Sequence, residues 1–213
     1  MVFRTLLLAV LAACATTPGS GRAQAPTADA GLIPAGYGSL KRDDVAIAVQ
    51  LLGLTIRAIP LEESVIRALA PDSYASLHAL RESHAAELGR IGVRLGLPSV
   101  QAWYVQFFNV QQGDARYDPR DMQIRSAGRD FRPLDVLALV TGFADGRLAQ
   151  GRSVDAIFAF DPAVLLTQPL VVTIAGQSSP VWADVLPRLE RERAAVWSRA
   201  AAARKPAGAP PAP

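Results

Sequence analysis

The chain has 213 residues, half of them hydrophobic, with 22 basic against 19 acidic side chains and a formal charge of +3. That length holds one domain with a real apolar core, and so mild a charge excludes the basic footprint of a nucleic-acid-binding protein. Cys14 is the single cysteine, which excludes a disulfide framework, a downstream thiol nucleophile and a thiolate metal site.

At the start of the chain, Met1 to Thr5 carries one charge, Arg4, and Leu6 to Ala13 is an uninterrupted apolar run. The run is too short to span a bilayer and suits a secretory leader. Leu11-Ala12-Ala13-Cys14 then resembles the lipobox of bacterial lipoproteins. The resemblance implies cleavage before Cys14, lipidation of that residue, and a membrane-anchored protein of the cell envelope facing the periplasm or exterior. Acyl chains contribute about 0.8 kcal/mol per buried methylene, so they hold a protein on a membrane without a transmembrane helix. The alternative is a soluble periplasmic or secreted protein cut after Ala25, although Pro26 directly beyond that bond disfavours the cleavage. With residues 1–13 as signal peptide, residues 14–38 read as a flexible tether because Thr, Pro, Gly, Ser and Ala bury too little to order it. Residues 39–199 read as one folded domain and 200–213 as a disordered Pro/Ala tail of polyproline type.

Inside the domain, apolar residues, most of them β-branched, alternate at Val45, Ile47 and Val49 and again at Leu54 and Ile56, which predicts two short strands, or one strand bent at Gly53, ended by Pro60. Leu61, Val65, Ile66 and Leu69 share one helical face, and Tyr74, Leu77, His84, Leu88, Ile91 and Leu95 share another until Gly96 and Pro98. From Val100 the period becomes two, with Trp103, Val105, Phe107 and Asn109 on one side and Tyr104 and Phe108 on the other, as for a central strand. Met122–Arg125, Phe131–Leu139, Ser153–Phe160 and Leu170–Ile174 follow as strands, with Pro133 marking an edge or bulge. A last helix starts at Ser179-Pro180, with Trp182, Val185, Leu189, Val196 and Trp197 expected in the core and Arg188 to Arg193 on a solvated face. The pattern predicts a mainly β, α+β fold: an Ig-like antiparallel β-sandwich with a helical pair inserted at about 61–96 and a C-terminal helix.

Phe107-Phe108-Asn109, Tyr117-Asp118-Pro119 and Phe158-Ala159-Phe160-Asp161-Pro162 resemble strand ends and turns of Ig-like modules in bacterial envelope proteins. That resemblance implies a scaffold and carries no active site.

Chemistry-bearing patterns are sparse. His78 and His84 are six apart, whereas a metal pair on one helix wants three or four. Gly151-Arg152-Ser153-Val154-Asp155 lacks the closing glycine of a nucleophile elbow, and Ser153 reads as structural. Asp114, Asp118 and Asp121 have the oxygen-rich look of a calcium loop, but Arg116 and Arg120 offset their charge. No catalytic residue, metal site or cofactor is therefore expected. Arg116, Arg120, Arg125, Arg129 and Arg132 form the densest basic stretch, interleaved with aspartates, and are the candidate anion or partner surface. The expectation is a non-enzymatic envelope lipoprotein, attached to the membrane through its lipid anchor and binding an envelope protein. Two alternatives stand beside it: an exported small-ligand carrier or hydrolase with a pocket between the helices and the sandwich, and a binder of anionic envelope polymers through the arginine-rich hairpin.

Overall fold

A computed structural model describes residues 31–204. Cys14, the leader, most of the expected tether and the segment from residue 205 onward lie outside the described residues. The described chain mixes helices with antiparallel sheets.

After a single helical turn, α1 (Arg42–Val45), the hairpin of β1 (Ile47–Leu51) and β2 (Leu54–Pro60) closes through Leu52-Gly53. Gly53 sits at φ +80°, the left-handed position that such a turn requires of its second residue. Three helices follow before the sheet resumes: α2 (Glu63–Ile66), α3 (Pro71–Ser83) and α4 (Ala85–Leu95). β3 (Gln101–Asn109) then pairs with β2 on one side and with β9 (Ser153–Phe160) on the other, as its two apolar faces require. The five-stranded sheet has the order β1-β2-β3-β9-β7, where β7 is Asp135–Ala138. A second sheet, ordered β11-β10-β5-β6, comprises β5 (Met122–Ser126), β6 (Arg129–Phe131), β10 (Leu170–Ile174) and β11 (Gln177–Ser179). A two-stranded pair of β4 (Ala115–Arg116) and β8 (Arg147–Leu148) lies outside both. Every named pair of strands is antiparallel.

Alternation along the strands sends Trp103, Val105 and Phe107 of β3 and Ile124, Val172 and Ile174 of the second sheet into one continuous body of buried side chains. Phe107 is its aromatic centre, stacked on Tyr117 at 4.7 Å between ring centroids and edge-on to Phe143 at 6.0 Å.

Several local expectations change. Leu61–Leu69 forms only the short α2, because Leu40 pairs with Leu69 in a parallel bridge and Pro71 disfavours helical geometry in the residue before it. The single helix expected across residues 73–95 breaks at His84, whose Nδ1 lies 3.0 Å from both the Leu80 carbonyl and the Ser83 hydroxyl. The stretch Phe131–Leu139 divides at Pro133, leaving β6 in one sheet and β7 in the other. Another concerns α5 (Trp182–Arg204). Trp182 is fully buried with its indole N–H donating to Leu166 O, but Trp197 is 49% exposed and stands outside the core.

The charged row of α5 is only partly a solvated face: Glu190 and Arg191 are exposed, while the others strap the helix to the rest of the domain. Arg188 donates to the Asp44 carbonyl, Arg193 to the Ser64 carbonyl at 2.7 Å, and Glu192, buried, accepts from Ser39 N at 2.7 Å and Ser39 Oγ at 2.9 Å while pairing with Arg199. Packed chain accordingly begins before residue 39: Ile33 is 5% exposed and its carbonyl accepts from Arg67.

Candidate functional site

β7 is an edge strand, bonded to β9 on one side only. Along its open side runs a cleft of about 660 Å³ lined by Asp118, Arg120, Arg132, Pro133, Val136 and Phe143 among others. Its walls follow from local rules. Asp118 caps the short turn Pro119–Asp121 by accepting from Arg120 N at 2.8 Å. The neighbouring Tyr117 hydroxyl donates to the Phe143 carbonyl at 2.5 Å, which fixes the floor to the wall. Burial, with Asp145 nearby, pushes the Tyr117 phenol upward, so that hydroxyl keeps its proton and its bond. Pro133 turns the chain from the second sheet into the first and leaves Arg132 at the cleft's rim.

The electrostatics of the cleft are uneven. Asp135 is taken: Arg94 of α4 donates to its Oδ2 at 2.5 Å and Val136 N to its Oδ1 at 2.8 Å. Arg120 and Arg132 are both exposed, and neither guanidinium has a hydrogen-bond or ion-pair partner among the described residues.

The structure thus gathers two of the five candidate arginines and separates the rest. Arg125 is held by Asp130 through two bonds, at 2.7 and 2.9 Å, on the outer face of the second sheet, and that pairing keeps the Asp130 carboxyl below its usual value. Arg129 lies over the Phe131 ring, 5.0 Å from its centroid. Arg116 stands opposite Arg147 across β4 and β8 and lines a smaller cleft of about 310 Å³ with Asp118 and Asp121. Ladder position decides this scatter, since residues close in sequence fall on different strands, turns and faces. Arg94, Asp135 and Phe143 are the participants that sequence reasoning missed. Pro133, marked as an edge, was the one signal for them.

A groove of about 530 Å³ also lies between α3 and the five-stranded sheet, with Arg42, Leu80, Tyr104, Leu139 and Asp155 on its walls. Burial and the adjacent Asp155 push the Tyr104 phenol up to about 12. Neither histidine lines this groove. His78 instead pairs with Glu63, Nδ1 to Oε1 at 2.7 Å, and stacks on Tyr74. Burial would raise the Glu63 carboxyl, but hydrogen bonds from Arg67 and His78 outweigh it and hold it low.

Among the described residues no group of three or more His, Cys, Asp and Glu side chains is placed to hold a metal ion, and no helix is long and apolar enough to cross a membrane. No family model matches the chain, and no curated protein or solved structure matches it either.

Proposed function

We propose that the chain is a non-enzymatic bacterial cell-envelope lipoprotein, anchored at Cys14, whose Ig-like β-sandwich binds another envelope protein. The leader and the lipobox-like tetrapeptide support the address. Two antiparallel sheets sharing one aromatic core support the sandwich. The observation that carries the binding role is the cleft beside β7, where two exposed guanidinium groups stand without partners over an apolar floor. Apolar lining with a few convergent charges is what an interaction site needs, because the floor supplies burial and the charges supply orientation.

The test is photocross-linking in the native cell, with a photoreactive residue replacing Ala138 on β7 and, as control, Val93 on α4. The reading expects a protein adduct from position 138 that is absent at 93 and lost in the Arg120→Ala/Arg132→Ala variant. Equal labelling at both positions, or turnover of a substrate by the purified chain, overturns the binding role. Cys14→Ala is expected to move the protein out of the membrane fraction, and retention there overturns the anchor.

A further inference from the structure

Resting on the partner-binding reading, we propose that the occupant of the cleft is an extended peptide segment that adds to the five-stranded sheet as a sixth strand along β7 and presents a carboxylate to Arg120 and Arg132. Backbone geometry supplies the first half. Leu139 N–H bonds Asp155 O, and the β7–β9 register pairs Leu137 with Ile157 and Asp135 with Ala159. Antiparallel alternation then turns the polar groups of residues 135, 137 and 139 toward β9 and those of Val136 and Ala138 toward the open edge. The Val136 amide is already satisfied by the Asp135 carboxylate, which leaves the Val136 carbonyl and both backbone groups of Ala138 for an incoming strand. Ala138 is exposed and small, so nothing on that side chain obstructs approach. Edges are commonly shielded by charge, a bulge or a covering helix. Here the shielding reaches only Val136.

Charge supplies the second half. Four charged side chains belong to the cleft: Asp135 is neutralised by Arg94, Asp118 accepts from the Arg120 amide but keeps its charge, and Arg120 and Arg132 are unpaired, so two positive charges stand against one negative. The uncompensated charge is therefore positive. Guanidinium groups take planar two-oxygen acceptors bidentately, so a carboxylate fits them, from an acidic side chain or from a chain terminus. Val136, Leu134 and Phe143 offer the apolar surface on which alternate side chains of the segment would rest.

The experiment sorts a displayed library of random linear peptides against the full chain carrying Cys14→Ala, then measures the synthesised winners by calorimetry. The expected winners alternate apolar residues around one Asp or Glu, or need their free C-terminus. Amidating the terminus and replacing Glu by Gln separates those two sources. Arg120→Ala/Arg132→Ala is expected to weaken binding at least about tenfold, the loss of one charge-assisted contact or more. Ala138→Pro removes the edge donor, and because proline could disturb β7 itself, the reciprocal bonds, from peptide N–H groups to the Ala138 and Val136 carbonyls, are deleted instead with peptides N-methylated one residue at a time. One methyl position abolishing binding supports strand addition. Tolerance of methylation at every position, or winners that bind the double arginine variant equally well, overturns the proposal while leaving partner binding in place. Failure to select any peptide, together with no adduct from position 138 in the cell, overturns both.

Discussion

Asn109→Ala tests how the end of the molecule opposite α2 is held. Asn109 is fully buried, and its side chain makes three hydrogen bonds: Nδ2 donates to Gly113 O at 2.8 Å and to Leu148 O at 2.7 Å, and Oδ1 accepts from Gln111 N at 2.9 Å. Two of the partners sit on the loop after β3 and the third on β8, so this amide is a junction between the β3–β4 connection and β8. Three bonds at about 0.5–1.5 kcal/mol each predict a loss of about 1.5–4.5 kcal/mol, and stranded partners in a buried setting place the outcome in the upper half of that range. Asn109→Asp keeps the shape, removes both donors and buries a charge, so it is expected to cost at least as much. Gln111→Ala is the control. Its half-buried side chain donates once, to Asp114 O, and its removal is expected to cost less than about 1 kcal/mol. Urea unfolding of the Cys14→Ala chain, followed through the buried Trp103 and Trp182, supplies the measurement. A loss below about 1 kcal/mol for Asn109→Ala, or no difference from Gln111→Ala, would refute the reasoning.

Gly38→Ala is expected to dislodge the segment before α1, because a Cβ there would lie 2.2 Å from the Leu69 carbonyl oxygen and 2.3 Å from Ala68 C, backbone atoms that cannot swing aside. Limited proteolysis should then cut between residues 33 and 40, and an unchanged digestion pattern speaks against the contact. Glu62 and Glu63 are expected to respond to pH with opposite sign. Glu63 is held below its ordinary 4.5 despite burial, by Arg67 and His78, so its contribution is present above that value and disappears as pH falls through the folded one. Glu62 is raised above 4.5 chiefly by burial, so its ionisation opposes folding as pH climbs through the raised value. Melting temperatures measured from about pH 3 to 8 should show Glu63→Gln losing stability near neutrality and converging on the parent in acid. Glu62→Gln should instead match the parent in acid and gain on it near neutrality, and parallel curves for both variants contradict the assignment.

The elements legible in the sequence are those whose pattern is long and strongly periodic. β3, β9 and β10 are predicted nearly to the residue because Trp103 to Phe107, Val154 to Phe160 and Leu170 to Ile174 each sustain a period of two. β4 and β8, two residues each, carry no period at all, and they are held by Asn109 from outside their own sequence. The break at His84 was hidden because the apolar face runs through it, while the cause is a competing hydrogen bond to the Leu80 carbonyl. The candidate site was half legible. Arginine density marked residues 116–132, of which Arg120 and Arg132 line the cleft, and Pro133 marked an edge. Which guanidinium groups stay unpaired depends on neighbours such as Asp130, five residues on in the chain but directly opposite Arg125 across a turn.

The Ser39–Glu192 clamp and the Leu40–Leu69 bridge have a mechanical meaning. Tension entering through the N-terminal end of the domain meets buried Ile33 and its bond from Arg67, then these contacts and the α5 straps, before it reaches any rung of the five-stranded ladder. Because Leu40 runs parallel to Leu69, the load falls on its pair of backbone bonds together, in shear rather than one at a time. A body dragged from this end would keep its β7 rim undistorted until the clamp tears.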